Sequence, residues 1–318
     1  MCSNKSFLLF LLPLLLFPGM AQGQCFSSAG TPVGGSENMG VLQKNTLTIT
    51  AFYRHHLSDR YFEGRELIQG GAIKNARYNY VGSIIAYGIT NRLTAEAELG
   101  YFIDKTKYYR VPEGYTLRGR GLNNALLSGK YQLYYDPVKK WEYSLALGVK
   151  LPFSLDGRRI DDVRLPYDLQ PSTSTFGAVV QSYLIHQKSF TGMRYFLYNR
   201  IEWNATNREG YRYGPSMTNA VYVSRHLIRT SSWPVSGTLI LQLRNEIRGK
   251  SFIHEEIEPS SGSVKFFLTP QINLAFVEKV NLSFMVDIPV YQHYRNIQLA
   301  DRVAFTIVLN KPIAPGIR

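Results

Sequence analysis

The sequence is poor in cysteine, in charge and in long apolar runs. Of its 318 residues 2 are cysteines, and Cys2 falls within an expected N-terminal leader, so Cys25 would be the one remaining thiol and an internal disulfide is excluded. Charged residues make up 19%, below the roughly 25% of ordinary soluble proteins. After the leader no apolar run reaches the roughly 18 residues of a membrane-spanning helix. A multi-pass helical transporter is therefore excluded.

The first residues predict a cleaved signal peptide. Lys5 supplies its positive charge, residues 7–17 are apolar, and Met20 to Gly23 offer small residues for cleavage. The expected division is a signal peptide at 1–21, cut between 21 and 24, an N-terminal extension at 22–43 and a β-barrel at 44–318. Without Lys5 the net charge falls from +13 to +12, which suits a rim or lumen facing anionic lipid headgroups. For an exported chain this charge does not indicate nucleic acid.

Apolar and polar side chains alternate along most of the chain. Between 93 and 103, Leu93, Leu99 and Ile103 share one face, and Glu96 and Glu98 share the other. A helix would mix those carboxylates with the leucines, so this period of two predicts strands. About twelve are predicted, near 44–55, 78–89, 93–104, 121–135, 142–152, 175–186, 192–204, 216–228, 236–249, 263–276, 280–290 and 301–310.

Short and long connections alternate between these strands. The short ones fall at 90–92, 136–141, 187–191, 229–235 and 277–279, and the long ones at 56–77, 105–120, 153–174, 205–215, 250–262 and 291–300. Tilted strands of roughly 9–11 residues cross a bilayer, and closure gives every backbone group a partner. We therefore predict an all-β fold, an up-and-down antiparallel transmembrane β-barrel of about 12 strands in the outer membrane of a Gram-negative bacterium.

Aromatic residues gather toward the ends of the predicted strands, which is typical of interfacial girdles. They are Tyr78, Tyr80, Tyr87, Tyr101, Tyr131, Tyr134, Tyr135, Trp141, Tyr143, Tyr195 and Trp203. A β-sandwich also favours Tyr in strands, but its strands are shorter, nearer about six residues. The sandwich stays the alternative fold.

Several segments, in order, resemble a known family. They are Tyr87 to Leu93, Gly121 to Asn124 with Gly129 to Tyr131, Leu147 to Pro152, Leu169 to Ser174, Thr269 to Gln271, and Ile288 to Gln292 with Gln298 and Leu299. The chain resembles the outer-membrane barrels of the MetA-pathway-of-phenol-degradation type, often labelled transporters. Asn123 and Asn124 stand where that family has Gly-Asp. The resemblance implies a barrel that moves hydrophobic or aromatic compounds across the outer membrane.

In a barrel of this kind the polar faces of the strands look into the lumen. The candidate lumen residues are Glu96, Glu98, Lys130, Lys150, Arg200, Glu202, Arg244, Glu246, Arg248 and Asp287. We expect Arg200, Arg244 and Arg248 to face Glu96, Glu98, Glu202 and Glu246 at a constriction. The bore should lie between the filled interior of small barrels and the open channel of porins.

These residues predict a passive channel or transporter for small solutes, and the family resemblance implies that hydrophobic or aromatic compounds are among them. The expected partners are outer-membrane lipid, lipopolysaccharide and the solute, with no cofactor, no metal and no enzymatic activity, while the oligomeric state stays open. Two alternatives remain: a barrel enzyme acting on lipids, and a structural barrel whose lumen is closed by its own ion pairs.

Three weaker patterns bear on these alternatives. Ser224 and His226 share a strand face and could form a nucleophile and base, but no third member is evident. His55 and His56, with His254, Glu255 and Glu256, could bind a metal ion. Pro152, Pro270 and Pro289 cannot donate to a ladder and predict strand ends or bulges, which could open a lateral gap in the wall.

Overall fold

The computed structural model describes residues 39–110, 114–188, 192–227, 235–276 and 280–313, so the expected signal peptide lies outside the described residues. The strands are β1 Leu47–Gly64, β2 Glu66–Ile68, β3 Ile73–Thr90, β4 Leu93–Tyr109, β5 Thr116–Leu122, β6 Ala125–Asp136, β7 Trp141–Leu151, β8 Arg159–Ile160, β9 Val163–Arg164, β10 Gly177–Lys188, β11 Met193–Asn204, β12 Tyr211–Arg212, β13 Ser216–His226, β14 Val235–Arg248, β15 Phe252–Ile253, β16 Glu256–Ile257, β17 Ser263–Phe276 and β18 Asn281–Ile313. Among these residues no helix is long and apolar enough to cross a membrane.

Eleven of the described strands close into one antiparallel barrel. Their order is β1, β3, β4, β6, β7, β10, β11, β13, β14, β17 and β18, and β18 pairs back onto β1. β18 crosses the wall twice, because its residues 281–294 pair with β17 and its residues 298–313 pair with β1. The chain therefore crosses the described wall about twelve times, and the predicted up-and-down barrel is confirmed.

The connections differ in length at the two ends of the barrel. At one end, here the turn end, residues 91–92 join β3 to β4 and residues 137–140 join β6 to β7. At the other, the loop end, residues 152–176 lie between β7 and β10 and residues 249–262 between β14 and β17. The predicted alternation of short turns and long loops is confirmed at these four connections, whereas the predicted turns at 187–191, 229–235 and 277–279 fall wholly or partly outside the described residues.

The wall reaches further toward the loop end than the sequence predicts. β1 continues to Gly64 and β3 begins at Ile73, so most of the predicted loop at 56–77 is strand, and the predicted loop at 291–300 belongs to β18. The ladder between β1 and β18 shifts register around Ser58. Such bulges interrupt strict alternation without ending the pairing, so the sequence pattern resembles a loop where the backbone stays extended.

The barrel presents an apolar outer face and a mixed inner face. On β14, Leu239, Leu241 and Leu243 are 48%, 51% and 49% exposed, whereas Ile240 and Gln242 between them are 3% and 4% exposed. Successive side chains of a strand point to opposite faces, so the leucines face outward and their neighbours face the lumen.

The predicted aromatic girdle is wrong at two positions. Tyr78 and Tyr80 are 5% and 2% exposed and face inward, where both pack against Phe102. Other members of the set, among them Tyr135 and Trp203, are exposed. The error arises because residue type alone does not say on which face of a strand a tyrosine lies.

Candidate functional site: the barrel interior

Bulky side chains fill much of the barrel interior. Phe52, Tyr80 and Phe102 belong to one buried cluster on β1, β3 and β4, and Tyr183 and Tyr222 belong to a second cluster on the opposite wall. Each of these five residues is at most 4% exposed. Side chains this well covered leave no water-sized gap beside them, so the lumen at their level is filled rather than open.

One group of charged side chains crosses the lumen. Arg200 on β11 lies 3.3 Å from Glu98 on β4 and 3.0 Å from Glu202. β6, β7 and β10 separate β4 from β11 along the wall, so the Arg200–Glu98 pair spans the bore. Lys150 also pairs with Glu202. We call these residues the Arg200 group.

A second group centres on Asp287 of β18, whose side chain is 1% exposed. Arg54 of β1 lies 2.6 Å from its carboxylate and Arg244 of β14 lies 3.1 Å away. Thr269 donates its hydroxyl at 2.6 Å, and Arg244 also pairs with Glu246 at 3.1 Å. A buried carboxylate with two guanidinium partners ties three neighbouring regions of the wall together.

A third group was not predicted. Asp301 is 5% exposed and lies 3.0 Å from His56 and 2.6 Å from Lys265. Lys265 shares a strand face with Gln271 and Asn273, so alternation could have placed it inside. Asp301 lies beside the register shift of β18, where alternation fails.

All ten candidate lumen residues lie on the inner face, but in several groups. Glu98, Lys150, Arg200 and Glu202 form the Arg200 group, Arg244, Glu246 and Asp287 form the Asp287 group, and Glu96 pairs with Lys130 at 2.7 Å. Arg248 is 8% exposed at the loop end of β14. The expectation of one constriction is therefore corrected. The acidic partners of Arg244 are Glu246 and Asp287, because strands β14 and β18 bring them together.

The N-terminal segment, residues 39–46, closes the turn end. Met39 is 0% exposed and packs into the cluster of Tyr183 and Tyr222. The backbone N–H groups of Val41 and Leu42 donate to Glu142 Oε1 and Thr94 Oγ1, both at 2.9 Å. The segment thus enters the lumen from the turn end and is held there by the inner faces of β4 and β7.

Gly88 of β3 permits this close approach. Asn45 donates its backbone N–H to the Gly88 carbonyl at 2.8 Å, and Gly88 donates to Thr46 at 2.9 Å. A Cβ atom at position 88 would overlap the carbonyl oxygen of Gln43. A side chain there is therefore incompatible with the position of the segment.

Residues 152–176, here called the cap loop, pack over the loop end. Leu165 and Leu169 are 2% and 0% exposed. Lys105 Nζ donates to the Gln170 carbonyl at 2.9 Å, and Lys107 pairs with Asp168. Polar contacts of the two lysines therefore anchor the loop to the loop end of β4, and its two buried leucines add packing.

Three tyrosines fasten the cap loop to the neighbouring loop. The rings of Tyr167 and Tyr211 stack with centroids 3.5 Å apart, and the Tyr213 hydroxyl donates to the Tyr167 carbonyl at 2.9 Å. Burial raises the pKa of the Tyr213 hydroxyl well above its usual value. The hydroxyl therefore stays protonated and keeps donating at neutral pH.

Ser224 and His226 differ in burial, and His55 and His56 contact different partners. His226 Nδ1 lies 3.0 Å from Thr238 Oγ1 and Ser224 is 2% exposed. His55 contacts Asn79 at 2.8 Å whereas His56 points inward to Asp301. Among the residues that the structure describes, no three His, Cys, Asp or Glu side chains gather as metal ligands do.

The barrel is similar to solved outer-membrane proteins. The COG4313 outer membrane channel from Pseudomonas putida F1 superposes with a TM-score of 0.69 at 11% identity, covering 88% of this chain and 99% of that one. The beta domain of the Bordetella autotransporter BrkA superposes with a TM-score of 0.50 at 11% identity, covering 85% and 100%. No protein-family model and no curated protein sequence matches the chain. The fold is therefore that of outer-membrane β-barrels, as the sequence resemblance implied.

Proposed function

We propose that the protein is an outer-membrane channel through which small solutes pass passively, hydrophobic and aromatic ones among them, and that the structure describes its closed state. We place the turn end at the periplasm and the loop end at the cell exterior, because outer-membrane barrels have short periplasmic turns and long extracellular loops.

The main support for a channel is that some charged side chains of the interior remain partly accessible to solvent. The side chains of Arg200 and Glu98 are 14% and 15% exposed, and those of Arg244 and Glu246 are 11% and 15% exposed. The aromatic side chains of the interior, in contrast, are at most 4% exposed for Phe52, Tyr80, Phe102, Tyr183 and Tyr222. We infer that the solute path follows these partly accessible side chains, here called the polar seam, with aromatic side chains beside it. Such a lining suits a small solute that carries a ring and a polar group.

The two closures support a channel because neither is part of the barrel wall. The N-terminal segment and the cap loop can move while every ladder of the barrel stays paired. Gating by lids and loops of this kind occurs without unfolding of the scaffold.

A structural barrel with a permanently closed lumen is the second candidate. The Asp287 group favours it, because two guanidinium groups neutralise that carboxylate in the interior. Buried pairing of this quality also stiffens a barrel that transports nothing.

Glu98→Gln separates the two candidates. If the seam is the path, neutralising Glu98 should lower the preference for cations over anions severalfold in planar bilayers, because the focused field of a lumen charge acts on passing ions. Glu63→Gln is the matched control, since Glu63 is exposed at the loop end of β1. Complete absence of conductance in wild type, Glu98→Gln and Glu63→Gln would instead support the structural barrel.

A further inference from the structure

The outer surface of the barrel carries a depression near the loop end. Its volume is about 530 Å³, and its lining includes the cations Arg60, Arg65 and Arg302, the apolar residues Ile288, Val290 and Val303, and one acid, Asp301, whose carboxylate pairs with Lys265. Ile288 and Val290 are 43% and 56% exposed. Asp287 and Ala304, next to this lining along β18, face the lumen, so these apolar side chains face outward.

Two bulged residues of β18, Val290 and Arg302, lie in the lining of the depression. β17 pairs Phe267 with Pro289 and Phe266 with Tyr291, so Val290 has no partner in that ladder. β1 pairs Leu57 with Val303 and Ser58 with Asp301, which leaves out Arg302. An extra residue in each ladder bends the wall locally.

The depression lies just beyond the apolar belt of the barrel. On β1 the outward residues before Arg60 are Ile49, Ala51, Tyr53, His55 and Leu57, all of them apolar or aromatic except His55. The span from Leu47 to Leu57 matches the roughly 9–11 residues with which a tilted strand crosses the hydrocarbon core. Arg60 and its neighbours therefore lie at the level of lipid headgroups, on the side of the long loops.

The arginines of the depression differ in their engagement. Arg302 pairs with Asp59. The Arg65 guanidinium lies 5.1 Å from the ring centroid of Tyr291, within the range of a cation–π contact. Among the described residues Arg60 and Arg65 have no ion pair with a carboxylate, so both can bind an anion.

We propose that this depression binds a phosphate of the sugar headgroup of lipopolysaccharide, with one acyl chain lying along Ile288, Val290 and Val303. A guanidinium fork matches phosphate geometry with two parallel hydrogen bonds. The apolar side chains that line the depression beside the arginines fit the acyl chain of an amphiphile, whereas they would add nothing to the binding of free phosphate. The inference goes beyond transport and depends only on the proposed outer-membrane location.

Native mass spectrometry of the purified full chain in detergent tests the site with diphosphoryl lipid A and its phosphate-free form as probes. Wild type should prefer the phosphorylated form. Arg60→Ala combined with Arg65→Ala should weaken binding of the phosphorylated form on the order of 30-fold. This is roughly fivefold for each arginine, the contribution typical of a basic residue near an anionic lipid surface. The variant leaves the Arg302–Asp59 pair in place. Arg60→Lys combined with Arg65→Lys should retain part of the affinity.

Arg194→Ala combined with Arg225→Ala is the matched control. These two exposed arginines lie on the neighbouring strands β11 and β13 at the turn end, and their removal should leave lipid A binding unchanged. Equal binding by wild type and the Arg60/Arg65 variant would overturn the proposal. So would equal binding of phosphate-free lipid A, or full competition by millimolar inorganic phosphate. If the double variant fails to fold, Arg60→Ala alone takes its place. No step of the test requires transport, so its failure is distinct from failure of the channel.

Discussion

The two ends of the barrel are closed in different ways. At the turn end, the N-terminal segment is held by backbone N–H groups that donate to Glu142 and Thr94 and by the buried side chain of Met39. At the loop end, the cap loop is held by buried leucines, two lysines of β4 and a stack of tyrosines. The N-terminal segment is short and has one buried side chain, Met39, to withdraw, whereas the cap loop must unpack several. We therefore expect opening to begin at the turn end.

Substitutions in the barrel interior between the two ends should lower the free energy of unfolding most. Asp287→Asn removes the charge that two buried guanidinium groups share, and breaking a buried pair in this way costs about 3–5 kcal/mol of the free energy of unfolding. Urea unfolding in lipid vesicles measures it. Asp156→Asn is the control, because Asp156 is 78% exposed and its pair with Arg208 lies in the solvent. Similar midpoints for the two variants would contradict a structural role for the Asp287 group.

Gly119→Ala should loosen the loop end. A Cβ atom at position 119 would overlap the carbonyl oxygen of Leu169, and overpacking of this kind costs about 1–3 kcal/mol. We expect faster cleavage of the cap loop by external protease. Gly114→Ala is not a usable control because Gly114 has a positive φ of 79°. Gly129→Ala is, because a Cβ atom at position 129 would have no other atom within 4 Å. Equal cleavage of Gly119→Ala and Gly129→Ala would show that the cap loop does not rest on Gly119.

Tyr213→Phe should have the smallest effect on the same closure. It removes one hydroxyl that donates to the Tyr167 carbonyl at 2.9 Å, which is worth about 1 kcal/mol. The ring stays, so the stacking of the neighbouring tyrosines is kept. Protease cleavage of the cap loop should rise less than in Gly119→Ala. A larger rise than in Gly119→Ala would mean that the hydrogen bond, and not the packing, holds the loop.

Alternation of side chains is sufficient to predict the barrel and its inner face. Because a strand has a period of two, Glu98 and Arg200 can be placed inside from their neighbours alone. Arg54 could have been placed in the same way, since it shares a face with Thr50 and Phe52. Alternation does not predict which charges pair. Arg200 and Glu98, for example, meet across the bore although they are 102 positions apart in the sequence.

Two other features depend on geometry that alternation does not carry. The bulge at Arg302 places Asp301 inside against the local pattern. The N-terminal segment has no periodicity, and its contacts join positions 101 and 52 residues apart. Such contacts are fixed by the closed barrel as a whole, so local sequence gives no signal for them.

Single-channel recording of Gly88→Ala in planar bilayers tests the central claim most directly. An added methyl group at position 88 overlaps the Gln43 carbonyl and should expel the N-terminal segment from the lumen. We predict long openings and a severalfold higher mean conductance than wild type, with Gly129→Ala unchanged. Folded Gly88→Ala that conducts no more than wild type would contradict a lumen closed by a removable segment.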